Sequence, residues 1–86
     1  MEVEQTREFE KDTKKITAKT KQRIDDVVKV LANSKKLGKE LHHLGDVYSI
    51  RIENKRLVYQ ILERENKIIL LLFKSREEVY EYLKGH

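Results

Sequence analysis

The segment 47–73, VYSIRIENKRLVYQILERENKIILLLF, decides which fold this sequence adopts. It contains three runs of β-favouring residues, at 47–52, 56–62 and 68–73, and two charged connections that each include an asparagine. Asparagine tolerates the left-handed backbone conformation that tight hairpin turns require. The segment therefore predicts a meander of three antiparallel strands.

Alternation of side chains gives the first two strands two different faces, which predicts that both strands are half-buried. In the first strand, Tyr48, Ile50 and Ile52 share one face, and Ser49 and Arg51 lie on the other. The third strand, 68–73, has no polar position, which favours an interior strand covered on both faces. The second strand repeats the pattern of the first, with Leu57, Tyr59 and Ile61 on one face and Arg56, Val58 and Gln60 on the other.

The first connection fixes how the first two strands pair. With Glu53-Asn54 as a two-residue loop, Tyr48 lies opposite Tyr59. The same register places Arg51 opposite Arg56, and like charges in this position destabilise a sheet. Such a pair indicates an anion-binding site. Two alternatives stay open: both arginines splay into solvent, or a three-residue loop makes the pair diagonal.

The composition excludes several classes of protein. The 86 residues predict one domain, 1–86, of a size that can bury a core without disulfides. Cysteine is absent, which excludes disulfides, thiol catalysis and cysteine-based zinc sites. The longest apolar run has six residues and is too short for a membrane span or a signal peptide. We therefore expect a soluble, cytoplasmic protein.

Positive charge is concentrated in residues 13–39, which contain nine basic and two acidic residues, whereas the rest of the chain contains ten basic and thirteen acidic residues. This asymmetry is typical of a nucleic-acid-binding surface, and also of solvated helix faces rich in lysine. On the first interpretation, the RNA-binding residues are Lys14, Lys15, Lys19, Lys21, Lys35, Lys36 and Lys39.

Two amphipathic helices are predicted before the meander. After a short edge strand at 2–5, Thr6 is a candidate N-cap for a helix that extends to residue 15 or 16. Thr17 or Thr20 caps a second helix that ends near Ala32. The two helices form an antiparallel hairpin, and we expect it to pack on the apolar face of the meander.

The C-terminal segment predicts a third, short helix. Ser75 and Glu78 have the spacing of a capping box, and the helix extends to Lys84. Val79 and Leu83 are expected to face the sheet.

The adjacent pair His42 and His43 suggests a metal site or a general base. Neighbours in sequence usually point apart, however, and no third ligand has a suitable spacing. No metal and no cofactor is therefore predicted. An approach of either histidine to a bound phosphate stays open.

Three motifs follow one another in the chain: Lys39-Glu40-Leu41-His42-His43-Leu44, Gly45-Asp46-Val47-Tyr48-Ser49-Ile50-Arg51-Ile52 and Lys55-Arg56-Leu57-Val58-Tyr59-Gln60-Ile61. Together they resemble the RelE/ParE superfamily of type II toxins. The resemblance covers nearly the whole chain and implies an α+β fold of order β-α-α-β-β-β-α. In this fold, a helical hairpin packs on one face of a small antiparallel β-sheet and a short helix ends the chain.

The resemblance also implies a function and partners. RelE-like members cut mRNA in the ribosomal A site by driving the substrate's own 2′-OH onto the adjacent phosphate, whereas ParE-like members poison DNA gyrase. Both kinds are inactivated by a cognate antitoxin, and the pair usually binds its operator DNA. The motifs favour a ribosome-dependent mRNA endonuclease. A non-nucleolytic gyrase inhibitor and an inactive member that only binds its antitoxin stay open as alternatives.

By the same resemblance, five residues receive catalytic roles. Arg56 matches a phosphate-binding arginine that stabilises transition-state charge, and Arg51 matches a basic position that is a lysine in some members. Because the pKa of arginine exceeds about 12, Arg51 is a poor base and its expected role is electrostatic. Lys74 and Arg76 match a further basic position, and Tyr80 matches a tyrosine that stacks on a base or assists proton transfer.

The sequence departs from the nuclease pattern at two positions. Ser49 stands where some nucleases have a second lysine, and the C-terminal histidine of other branches is absent unless His86 replaces it. General acid–base groups supply about 100- to 10,000-fold each. Their incomplete set predicts slow cleavage that depends on the ribosome, or no cleavage.

Overall fold

Three consecutive antiparallel strands form the middle of the sheet, as segment 47–73 predicts. The computed structural model describes residues 1–33, 39–41 and 45–85. The predictions for Lys35, Lys36, His42, His43 and His86 lie outside the described residues, as does that for the Lys39 side chain. The elements in chain order are β1 Glu2–Gln5, α1 Arg7–Asp12, α2 Ala18–Ala32, β2 Lys39–Glu40, β3 Val47–Ile52, β4 Lys55–Leu62, β5 Lys67–Lys74 and α3 Arg76–Lys84.

The strands are arranged in the order β1-β5-β4-β3-β2. The predicted α+β class is confirmed, and β5 lies between two neighbours, as its apolar sequence predicts. Strands β2 to β5 pair antiparallel, but β1 pairs with β5 in parallel, so the sheet is mixed. No hairpin turn joins β1 to β5, and nothing local in the sequence fixes their relative direction.

The register of β3 and β4 is the one predicted for a two-residue loop. Tyr48 lies opposite Tyr59, and their rings stack with 5.6 Å between centroids and 13° between planes. Arg51 lies opposite Arg56. Because residues directly opposite each other project to the same side of a sheet, the two arginines share one face.

The turn between β3 and β4 is anchored to the helical hairpin. Glu53 adopts the left-handed conformation with φ 58°, a role that the sequence suggested for Asn54. The carboxylate of Glu53 accepts a hydrogen bond of 2.5 Å from the Thr20 hydroxyl of α2 and lies 3.9 Å from Nε of Arg23. These contacts of the Glu53 side chain stabilise a left-handed backbone conformation that is unfavourable for glutamate. In the second turn, Asn66 is left-handed with φ 54°, as expected of asparagine.

The helical hairpin packs on one face of the sheet. Both helices begin at predicted N-caps, Thr6 and Thr17. α1 ends at Asp12, earlier than predicted, and the Thr13 hydroxyl donates to the Phe9 carbonyl at 2.9 Å there. In the described ranges, no helix is long and apolar enough to span a membrane. The side chains that the hairpin buries fully are Phe9, Ile24 and Leu31.

The opposite face of the sheet is covered by α3, which begins at the predicted capping box of Ser75 and Glu78. Val79 of α3 packs there on Val58, which is fully buried. Ser49 is also buried, with 5% of its surface exposed. The alternation in β3 and β4 predicted two half-buried strands, and this is wrong for these two positions because the second face is covered as well.

An ion triad ties α1 to the end of β5. The Lys74 ammonium lies 2.7 Å from a carboxylate oxygen of Asp12 and 2.7 Å from one of Glu8, and 14% of its side chain is exposed. The second carboxylate oxygen of Asp12 accepts the backbone N–H of Phe73 at 3.0 Å. Burial by itself lowers the pKa of Lys74, but the hydrogen bonds that its ammonium donates to Asp12 and Glu8 outweigh burial and raise the pKa above the ordinary value of 10.5.

We expect Lys74→Met to lower the free energy of unfolding by about 2 kcal/mol, because it leaves two carboxylates without their cation. Chemical denaturation measures the loss, with the exposed Lys21→Met as the matched control. Since the raised pKa favours charged Lys74 in the fold, the stabilisation is complete below pH 10.5 and declines as the pH rises further. Equal stability of the two variants would contradict this role.

Ser75→Ala is expected to destabilise the fold by about 1 kcal/mol through loss of the α3 N-cap. It also removes the hydrogen bond from the Ser75 hydroxyl, the larger of the two Ser75 hydrogen bonds that lower the pKa of Glu78, so the Glu78 pKa rises toward its ordinary value. An NMR pH titration of Glu78 measures this rise. An unchanged Glu78 titration would contradict the capping box.

Candidate anion-binding cleft

A cleft of about 260 Å³ opens at the end of the sheet where β3 turns into β4. The described residues that line it are four cations and one amide, with no acidic side chain among them: Arg51, Asn54, Lys55, Arg56 and Arg76. Three of the five predicted catalytic residues, Arg51, Arg56 and Arg76, are therefore brought together.

Each of the three arginines is placed by a local feature of the chain. Arg51 and Arg56 are neighbours because the two-residue turn sets the register of β3 and β4. Arg76 is the first residue of α3, directly after the Ser75 cap, so the start of that helix delivers it to the cleft. Arg51 and Arg76 are exposed and Arg56 is half-buried. The sequence predicted these three residues, and their separate positions in the chain meet at one cleft.

The guanidinium of Arg51 is oriented by the turn itself. Its Nε donates to the backbone carbonyl of Glu53 at 2.9 Å. Because the Glu53 carboxylate is bound to Thr20 of α2, the helical hairpin, the turn and Arg51 form one connected set of contacts. The two Nη groups of the guanidinium carry the other four N–H donors, in a planar fork whose orientation this bond fixes.

The arrangement suits a phosphate or another oxyanion. Guanidinium groups donate two parallel hydrogen bonds to such ligands, and neighbouring cations in a cleft strengthen the local positive potential. An anion also relieves the repulsion between Arg51 and Arg56. No residue of the described lining is a base that is ordinarily neutral near pH 7. The cleft can therefore bind and stabilise negative charge, but its described side chains provide no evident proton acceptor.

Lys74 does not supply a free charge to the cleft. It lies directly opposite Arg56 in the β4–β5 register, so the row of cations continues across the sheet. Its ammonium, however, is bound by Asp12 and Glu8 and lies 5.5 Å from the centre of the Tyr82 ring. The contacts of Lys74 are those of a structural ion pair, and the catalytic role that the resemblance implies for it stays a prediction.

Tyr80 lies beside the cleft without being one of its described lining residues. It is four positions after Arg76 on α3, so both side chains are on the same side of the helix, and 67% of Tyr80 is exposed. Ser49, two residues before Arg51, is buried, and its hydroxyl has no hydrogen-bond partner among the described residues. Neither residue supplies a described contact to the arginines.

Two lining residues, Asn54 and Lys55, were not predicted as site residues. The sequence feature that could have identified them is their position between Arg51 and Arg56 in a tight turn, because this position places them at the same end of the sheet. The predicted RNA-binding lysines of the hairpin are exposed on α2 and on the segment between α1 and α2, and Lys15 among them lines a groove at this end of the sheet. The exposed members of that prediction are Lys14, Lys15, Lys19 and Lys21.

The part of the chain that the structure describes contains no group of three His, Cys, Asp or Glu residues able to hold a metal ion. A comparison with curated protein sequences gives no significant match.

Solved structures match the fold over nearly all of the chain. A metal-bound toxin from Helicobacter pylori has 25% identity and a TM-score of 0.74, covering 92% of this chain and 98% of its own. The isolated RelE toxin of E. coli has 18% identity and a TM-score of 0.76, covering 98% and 95%. The RelB–RelE antitoxin–toxin complex of Methanococcus jannaschii has 24% identity and a TM-score of 0.74, covering 93% and 98%.

The family model of the ParE toxin of type II toxin–antitoxin systems, parDE, matches residues 3–80. This match spans nearly the whole chain and agrees with the order of elements, the arginine-bearing hairpin and the matching solved folds. The chain therefore belongs to the RelE/ParE superfamily as a toxin of a type II toxin–antitoxin system.

Proposed function

We propose that this toxin is a ribosome-dependent mRNA endonuclease. The observation that carries the proposal is the convergence of Arg51, Arg56 and Arg76 on one cleft without a described acidic lining residue. A neutralised arginine cluster would have no charge left for a substrate. Here, Asp12 and Glu8 are bound to Lys74, and the three arginines line the cleft.

In the proposed reaction, the 2′-oxygen of the substrate attacks the adjacent phosphorus and the bond to the 5′-oxygen breaks. The products are a 2′,3′-cyclic phosphate and a free 5′-OH. The 2′-OH loses its proton, and the departing 5′-oxygen gains one. Negative charge builds up on the phosphoryl oxygens in the transition state, where Arg51, Arg56 and Arg76 stabilise it. Tyr80, exposed next to Arg76, offers a ring on which a base of the substrate stacks.

The ribosome completes the site in this proposal. The described lining has no evident proton acceptor, and arginine is a poor one. Besides charge stabilisation, the reaction can then be accelerated by holding the 2′-OH in line with the phosphorus. The ribosome provides this orientation because it holds the mRNA strand in a fixed position. The proposal accordingly requires that free RNA be cut far more slowly than mRNA on the ribosome.

A second candidate is inhibition of DNA gyrase without RNA cleavage. It is favoured by the description of the matching family model, which is that of ParE. On this alternative, the arginine cleft contacts the protein target and needs no proton acceptor. The cognate antitoxin is a partner under either candidate. Binding of operator DNA is proposed only for the toxin–antitoxin complex.

The first experiment compares wild type with Arg56→Ala in a purified translation system. We expect the substitution to reduce mRNA cleavage about 100-fold or more through loss of transition-state stabilisation. Primer extension on ribosome-bound mRNA measures the cleavage. The matched control is Arg64→Ala, an exposed arginine in the β4–β5 turn at the other end of the sheet, which should cleave at the wild-type rate.

Intact mRNA with wild type, together with inhibited DNA supercoiling by gyrase, would contradict the endonuclease proposal and support the second candidate. Equal cleavage by wild type and a folded Arg56→Ala variant would show that the cleft has no role in mRNA cleavage.

The second experiment tests the helical hairpin as a ribosome-binding surface. Neutralising three of its exposed lysines in Lys14→Gln, Lys19→Gln and Lys21→Gln is expected to weaken ribosome binding about tenfold or more and to reduce its salt dependence. The control removes the same charge outside the helical hairpin, at Arg64, Lys67 and Lys84. Equal ribosome affinity of the two triple variants across a salt series would argue against this surface.

A further inference from the structure

A second groove, of about 230 Å³, lies on the other side of the β3–β4 turn. Its lining residues come from the helical hairpin, from the β3–β4 turn and from β5: Asp12, Lys15, Ile16, Thr17, Thr20, Glu53, Asn54, Lys55 and Phe73. Nothing in the proposed reaction uses this groove.

The groove is continuous with the arginine cleft. Asn54 and Lys55 line both, so the two depressions meet at the turn. Lys55 directly precedes Arg56 and therefore projects to the opposite face of the sheet, where its ammonium lies 5.7 Å from the centre of the Phe73 ring. A strand that leaves the arginine cleft over this turn passes from one face of the sheet to the other and enters the groove.

The acidic side chains in the groove are already occupied by protein donors. Asp12 is bound to Lys74 and to the Phe73 N–H, and Glu53 is bound to the Thr20 hydroxyl. Lys15 and Lys55, by contrast, have no ion-pair partner among residues 1–33, 39–41 and 45–85. The groove therefore presents two available cations to a ligand.

The base of the groove does not favour stacking of a nucleobase. Phe73 has only 2% of its surface exposed, and Lys55 stands over its ring. Base stacking needs an open aromatic face, whereas lysines bind phosphate without regard to sequence. The groove is thus suited to the sugar–phosphate backbone.

We infer that this groove is a second RNA subsite, which binds the backbone of the substrate strand next to the scissile phosphate without reading its bases. The inference rests on the proposed function. It assigns Lys15 to the substrate strand rather than to the ribosome-binding surface, and it makes Lys55 the residue that connects the two subsites.

Oligoribonucleotides of different length test the inference. The probes are the dinucleotide UpU and the hexanucleotides U6 and A6, all 2′-O-methylated so that transesterification is blocked. NMR titration of the full chain measures their affinities. We expect wild type to bind U6 about tenfold more tightly than UpU, and Lys15→Gln to lose about fivefold for U6 and for A6 while it keeps its affinity for UpU.

Lys15→Gln is the main variant because Lys15 lines only the groove and is exposed, so the substitution leaves the core intact. The matched control is Lys29→Gln, an exposed lysine in the last turn of α2, which should bind all three probes as wild type does. Lys55→Gln should weaken binding of UpU as well as U6, since Lys55 lines both subsites.

Three results would overturn the inference. They are equal affinities of wild type for UpU and U6, unchanged U6 binding by Lys15→Gln, and a loss on Lys15→Gln that is confined to one of the two hexanucleotides. Failure of the proposed function has a separate signature, because Arg56→Ala would then bind UpU as tightly as wild type does.

Discussion

The pairing of Arg51 with Arg56 across a two-residue turn is the constraint on which the site depends. Like charges opposite each other destabilise a hairpin, and the apolar pairs beside them offset this by roughly 0.2–1 kcal/mol each. In this sheet, the stacked pair of Tyr48 and Tyr59 and the buried strand β5 hold the register. The hydrophobic core thus fixes a charge arrangement that the arginines would not adopt by themselves.

The distribution of carboxylates decides which cations are available. Asp12 and Glu8 of α1 bind Lys74, and Glu53 is bound to Thr20 and lies near Arg23 of α2. These contacts also connect both helices to the sheet, so each acidic residue has a structural role and none of them lines the arginine cleft among the described residues. The cleft is electropositive because its described lining residues are cations and an amide, and these three carboxylates are bound elsewhere.

Features encoded within a few residues were predictable from the sequence. Alternation and loop length predicted the β3–β4 register, and the Ser75 capping box predicted the start of α3 and hence the position of Arg76. The role of Lys74 was not predictable in this way, because its partners Asp12 and Glu8 are 62 and 66 residues away in the chain. The burial of Val58 was missed for a similar reason, since it depends on how α3 packs rather than on the pattern of β4.

The central claim is that Arg51, Arg56 and Arg76 bind one anion together. The most direct measurement follows the side-chain Nε–H signals of the arginines by NMR while inorganic phosphate is added to the full chain. The account predicts that these three signals shift together with a single dissociation constant, while that of Arg64 at the other end of the sheet does not move. Shifts with different dissociation constants, or equal shifts at Arg64, would contradict a shared site.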